Sequence, residues 1–197
     1  MAGIDGYEVP TWGQIYDLTL SLAKKISASG YRPQVIVGII RGGLVPARIL
    51  ADLLEVPQVA TIQVEFYVNI GKTAAEPVLK QGLAVPVAGK RVLVVDDIAD
   101  SGKSLQLALD YLQVQGAADV RSATLYYKPK SLVMPSFFEK VTEFWVVFPW
   151  ETREILREIL NSHKGKRDIN HAVAKLVKSG LPQHLADTLL ASMQEQP

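Results

Sequence analysis

Four apolar runs alternate along the chain with stretches of helical period. Gln34–Ile40, Val59–Phe66, Val92–Val95 and Val120–Tyr127 are rich in β-branched and aliphatic residues, and none follows an alternating apolar–polar pattern throughout. Such runs suit strands buried on both faces of a parallel sheet. Between and around them, apolar residues recur every three or four positions. Trp12, Ile15, Leu18, Leu22 and Ile26 form one such stripe, with Thr11 and Gln14 spaced as a capping box and Gly30 as a stop. Further helices are predicted over Ala47–Leu54, Leu105–Leu112 (ended by Gly116), from Glu151 to Leu160, over Ile169–Lys178 and over Gln183–Met193. Tyr67–Gly89 is interrupted by Gly71, Pro77, Gly82 and Pro86, and is predicted to be a lid or to contain a hairpin. The order strand, helix, strand, loop, strand, helix, strand predicts an α/β fold: a mostly parallel twisted sheet flanked by helices.

Composition narrows the class. At 197 residues the chain is long enough for one full core, and 48% hydrophobic with 21% charged residues is ordinary for a globular enzyme. The net charge of +1 gives no general attraction to nucleic acid or membrane, so neither is expected as a partner. There are no cysteines, which excludes disulfides, thiolate metal sites and cysteine nucleophiles. The first residues lack the basic flank and apolar core of a signal peptide, and no apolar run reaches the roughly 20 residues of a membrane helix. The expected location is cytoplasmic.

The stretch with the most chemistry runs from Arg91 to Leu105. An apolar strand leads into Asp96 and Asp97, Asp100 follows, and Ser101, Gly102, Lys103 and Ser104 open a helix. Ligands of open α/β sheets bind at the carboxyl ends of strands, and the N–H groups of a helix start favour an anion. Carboxylates for hydroxyls or a metal, beside a phosphate cradle, point to a sugar phosphate. Arg41-Gly42-Gly43 is a second strand–turn–helix unit, with a guanidinium suited to phosphate. Two rival readings fail. A phosphate-accepting receiver domain would open on the acid pair and place another acid at the end of a later strand; here about half the chain precedes the pair, and Asp110, Asp119, Glu139 and Glu143 do not end apolar strands. A Walker A loop needs Gly where this chain has Asp97.

The segment Asp96-Asp-Ile-Ala-Asp-Ser-Gly-Lys-Ser104 resembles the phosphoribosyl-pyrophosphate (PRPP) site of the type I phosphoribosyltransferases. Ile40–Pro46, Tyr127-Lys-Pro129 and Trp145–Glu151 are similar to motifs of their 6-oxopurine branch, so the resemblance covers roughly residues 11 to 160. It implies a Mg²⁺-dependent transfer of phosphoribose from PRPP to N9 of guanine, hypoxanthine or xanthine. Asp96 and Asp97 would bind the ribose hydroxyls, helped by Mg²⁺, and Glu151 would approach Mg²⁺ through water. The loop Asp100–Ser104, including Ser101, Gly102 and Lys103, would hold the 5′-phosphate. Arg41 and Gly42 would hold the pyrophosphate, with a cis peptide expected between Ile40 and Arg41. Asp100 would act as the base near N7. Lys128 would donate to the 6-oxo group, Trp145 would stack on the purine, and the main chain of Val146 would read its far edge. No catalytic role carries over into the 67–89 loop, because the Ser-Tyr pair common in hypoxanthine–guanine enzymes is absent there. Val147 replaces a polar residue that bacterial xanthine–guanine enzymes place near the purine.

The same resemblance implies a domain over residues 1–162, with a small hood largely from 127–150 over the strand ends, followed by a basic linker and helical tail over 163–197. A homodimer or homotetramer is expected. Two alternatives use the same fold: a PRPP-sensing regulator and an adenine phosphoribosyltransferase. Asp100, Lys128 and Trp145 favour the enzyme over the regulator, and Lys128 favours a 6-oxopurine over adenine.

Overall fold

A computed structural model describes residues 6–67, 76–163 and 165–194. The chain forms two compact units, Tyr16–Thr142 and the chain ends Met1–Ile15 with Glu143–Pro197. Helix α1 (Trp12–Ala28) begins at the expected capping box: the Thr11 amide donates to Gln14 Oε1 at 2.8 Å, and the Gln14 amide donates to Thr11 Oγ1 at 3.2 Å.

The larger unit is a six-stranded sheet in the order β4-β3-β2-β5-β6-β7. The strands are β2 (Val35–Ile40), β3 (Val59–Tyr67), β4 (Glu76–Gln81), β5 (Arg91–Ala99), β6 (Asp119–Tyr127) and β7 (Phe137–Val141). All pairings are parallel except β3 with β4, which form an antiparallel hairpin. The irregular 67–89 stretch therefore contains a strand. Pro77 lies in β4, where an edge position tolerates its missing N–H. Two helices pack on the sheet, α2 (Leu44–Leu53) and α3 (Lys103–Val114). Val35, Val37, Ile39, Val92 and Val94 join Leu105, Ala108 and Leu112 of α3 in one buried cluster. Gly38, of opposite parity, lets α2 approach: a Cβ there would lie 3.1 Å from the Ala47 methyl.

The strand order positions the site. From β2 the chain moves to β3 on one side; from β5 it moves to β6 on the other. The connections after β2 and β5 therefore leave a crevice between neighbouring strands, the usual ligand site of an open α/β sheet. Pairing of β5 with β2 ends at Gly38↔Val95, whereas β5 stays paired to β6 as far as Ala99↔Tyr127. The sequence ends this strand near Asp96; the structure carries it to Ala99, because β6 continues to hold it.

In the smaller unit, β1 (Tyr7–Glu8) pairs in parallel with β8 (Trp145–Val146). Helices α4 (Thr152–Ser162), α5 (Lys166–Lys178) and α6 (Gln183–Gln194) follow. Val147, Leu156, Ile159, Leu176, Leu181 and Ala186 share a buried cluster, so the tail helices have an apolar partner within their own chain. The expected boundary lies at 162/163, and the compact units divide at 142/143. Leu176 is fully buried in that cluster. Leu176→Ala is expected to cost about 2–5 kcal/mol and lower the melting temperature, whereas truncating the exposed Val114 should change it by no more than about 0.5 kcal/mol. Thermal denaturation of the two variants checks this. No helix of the described residues is long and apolar enough to cross a membrane.

Candidate active site

The turn after β2 and the acid pair of β5 meet directly. Gly42 lies against the Asp97 carboxylate so closely that a Cβ would coincide with it, and a Cβ on Gly43 would overlap the Val95 carbonyl oxygen. Both glycines are required by this approach. Arg41 is exposed at the start of the turn, and the peptide between Ile40 and Arg41 is cis, as expected. Asp97 is 5% exposed; its Oδ1 accepts from the Ile98 amide at 2.8 Å, and Asp96 Oδ1 accepts from the Asp97 amide at 3.1 Å.

Asp96, Asp100, Ser101, Gly102 and Ser104 line one cavity of about 110 Å³, with Phe66 from β3 on its wall. The chain passes from β5 into α3 through Gly102, whose φ of 76° lies in the left-handed region that glycine tolerates. A side chain at Gly102 would strike Ser131 and the amides of Leu132 and Val133. The Leu132 amide also donates to the Ser101 carbonyl at 3.0 Å, so residues 131–133 brace the loop from outside. The first turn of α3 presents N–H groups without intrahelical acceptors, which suits a phosphate. Lys103 reaches sideways, 3.3 Å from Glu76 Oε1 on β4.

Lys128 follows β6, and its amide donates to the Ala99 carbonyl at 3.0 Å. Its ammonium is 2.7 Å from Asp100 Oδ2, and Lys130 is 2.9 Å from Asp100 Oδ1. Burial pushes the Asp100 carboxyl up. The two ammonium groups, through hydrogen bonds and charge, outweigh burial and hold it below its ordinary value of 3.8. Lys128 is 5% exposed, so its charge is nearly desolvated and depends on Asp100.

In the smaller unit, Trp145 is partly buried against the tail cluster. The Trp145 amide donates to Gly6 O at 3.2 Å and the Val147 amide to Glu8 O at 2.8 Å. Alternation along a strand therefore turns the main-chain groups of Val146 away from β1. Glu151 stands at the N-cap position of α4 without a side-chain capping hydrogen bond, and its amide donates to Phe148 O at 3.0 Å.

The larger unit thus brings together Arg41, Gly42, Asp96, Asp97, Asp100–Ser104 and Lys128, while Trp145, Val146 and Glu151 belong to the smaller unit. Sequence reading missed Lys130 and Phe66. Two lysines flanking Pro129 were the available sign of the first; the second carried none. Of the two lysines in the 67–89 stretch that the sequence allows to reach an anionic ligand, Lys80 lies 3.9 Å from Glu65, and Lys72 falls outside the described residues. Among the described residues no group of three or more His, Cys, Asp or Glu could cage a metal. One or two carboxylates completed by substrate phosphates and water is the usual Mg²⁺ arrangement, and the Asp96–Asp97 pair fits it.

The phosphoribosyl transferase domain matches residues 8–154. The chain belongs to the phosphoribosyltransferase family. Within it, this phosphoribosyltransferase stands with the 6-oxopurine branch. It is 34% identical to the xanthine-guanine phosphoribosyltransferase of Cereibacter sphaeroides, over 74% of this chain and 87% of that one. The enzyme of the same name from Nitratidesulfovibrio vulgaris is 32% identical over 72% of this chain and 83% of its own. Among solved structures, a purine phosphoribosyltransferase from Pyrococcus horikoshii superposes with a TM-score of 0.67 at 35% identity, covering 73% of this chain and 93% of that one.

Proposed function

We propose that the protein transfers the phosphoribosyl group of PRPP to N9 of a 6-oxopurine, releasing pyrophosphate and a purine nucleoside monophosphate. The observation that carries this reading is the Asp100–Lys128 pair beside the phosphate loop. It sets a proton acceptor next to a donor for a 6-oxo group, and the relatives named xanthine-guanine phosphoribosyltransferase support it.

In this reading Asp96 and Asp97 accept hydrogen bonds from the ribose 2′ and 3′ hydroxyls. The loop Asp100–Ser104 holds the 5′-phosphate, and Arg41 with Gly42 holds the pyrophosphate. Bound Mg²⁺ supplies charge neutralisation on the pyrophosphate, with Asp96, Asp97 and Glu151 as its proposed holders. The C1–N9 bond forms as the C1–O bond to pyrophosphate breaks. The leaving oxygen takes that electron pair, and the purine's ring proton passes to Asp100. Carboxylates around the ribose stabilise the positive charge that develops on it. Trp145 stacks on the base and the Val146 main chain reads its far edge, with residues 127–150 as the hood.

The Asp100–Lys128 contact suggests how the base becomes active. Held by two ammonium groups, Asp100 is a weak acceptor. When Lys128 turns to a 6-oxo group, Asp100 loses one of them, and its proton affinity rises as the substrate arrives.

Pyrophosphate release, assayed with PRPP, Mg²⁺ and each purine in turn, tests the reading. Turnover is expected with guanine, hypoxanthine or xanthine and not with adenine, whose amino group is itself a donor. Lys128→Met should raise KM for the preferred base by about 10- to 100-fold, the loss expected for a hydrogen bond from a charged donor. No turnover with any base would reject the enzyme, and a preference for adenine would reject the role of Lys128.

A further inference from the structure

At the foot of the same sheet, away from the active site, three arginines line one open cavity of about 410 Å³. Arg32 follows α1, Arg91 opens β5, and Arg121 lies near the start of β6. Asp119 is the only acid among the lining residues, so three guanidinium groups face one carboxylate. β5 separates this cavity from the phosphate loop: from Arg91 to Ala99 the strand rises about 26 Å, at roughly 3.3 Å for each step from one residue to the next.

Each guanidinium is fixed through a small part of its donor set. Arg32 Nη1 donates to Ser27 O at 2.9 Å and Tyr31 O at 3.1 Å. Arg91 Nε donates to Arg32 O at 2.7 Å. Arg121 Nε lies 3.5 Å from Asp119 Oδ2, and its guanidinium covers the Tyr31 ring at 4.4 Å from the centroid. An arginine carries five N–H donors, so these anchors orient the planes and leave donors for a ligand. Tyr31 is buried, and its hydroxyl donates to Val92 O at 2.8 Å. Burial, with Asp119 nearby, pushes its pKa well up, so it adds no negative charge. Because Arg121 covers that ring, the cavity offers a base little to stack on. Its chemistry is that of oriented forks for phosphate oxygens, and its volume is that of a small-molecule site.

We propose that this cavity is a second anion site, distinct from the active site, that takes an oligophosphate chain, either free or carried by a nucleotide. The site does not depend on which base the enzyme uses.

Calorimetric titration of the full-length protein with inorganic tripolyphosphate tests it. Since the active site also accepts phosphates, the comparison is with Arg32→Gln/Arg91→Gln, which touches nothing in the catalytic loop and should keep kcat and KM for PRPP. The wild type should bind one more equivalent than this variant, or bind the weaker equivalent at least about tenfold more tightly. Arg32→Lys/Arg91→Lys should recover part of the loss. Should the double glutamine variant melt early, Arg32→Gln alone, at an exposed position, gives the same comparison. Tighter binding of a purine nucleoside triphosphate than of tripolyphosphate would assign the nucleotide as source, and equal binding would assign the bare chain. Identical titrations of wild type and glutamine variants would overturn the proposal.

Discussion

Asp100→Asn should slow turnover by about 10²- to 10⁴-fold, the range for loss of a positioned acid–base group, while PRPP binds nearly as before. Asparagine keeps one oxygen, enough for Lys128 or Lys130 but not for both, and cannot take the purine's proton. Steady-state kinetics with calorimetric PRPP binding separate the two effects: a fall in kcat with an unchanged dissociation constant is expected, and an unchanged kcat would remove Asp100 as the base. The pH dependence of stability has a definite sign. The folded-state pKa of Asp100 lies below the ordinary 3.8, so the carboxylate's contribution is fully present above that value and is lost as pH falls through the lowered pKa. The difference in melting temperature between wild type and Asp100→Asn should therefore stay constant from about pH 8 to pH 5 and shrink only in strong acid.

Gly43→Ala should destabilise the fold by about 1–3 kcal/mol and abolish measurable PRPP binding. The added methyl would overlap the Val95 carbonyl, with Ile39 O at 2.8 Å and the Asp96 Cα at 2.9 Å. All three neighbours are main chain, so relief requires the turn after β2 to move off β5. That movement separates Arg41 from the Asp96–Asp97 pair. Gly13→Ala in α1 is the control: its nearest contact would be Thr11 Oγ1 at 3.8 Å, and stability should hold or rise slightly. Melting temperature and PRPP affinity of both variants decide the matter; wild-type affinity in Gly43→Ala would show that the turn does not serve the site.

These two positions also mark how far the sequence could be read. β2 and β5 were legible because burial on both faces leaves an apolar run, Val35–Ile40 and residues 92–95, and β6 because residues 123–126 are buried and rich in aliphatic and aromatic side chains. β7 was not: Phe137 and Phe138 lead into Glu139 and Lys140, and an edge strand need not be apolar throughout. β1 and β8 are two residues each, too short for any period to register. The tail helices were legible as amphipathic segments, yet their cover was not, since periodicity defines a face and not what lies against it. In the site, the acids and glycines followed from a local motif. The Asp100–Lys128–Lys130 cluster did not, because it joins the ends of two neighbouring strands across 28 residues of chain.

The pairing of β2 with β5 sets residues 35–38 beside residues 92–95, across the whole of α2 and the β3–β4 hairpin. Closing so long a segment carries an entropic cost before any contact rewards it, whereas the helices and the hairpin form from local contacts. During refolding, helical signal should therefore return ahead of the crevice in which Gly42 meets Asp97. Recovery of catalysis is in that sense a clock for the last long-range pairing of the sheet rather than for its first turns of structure.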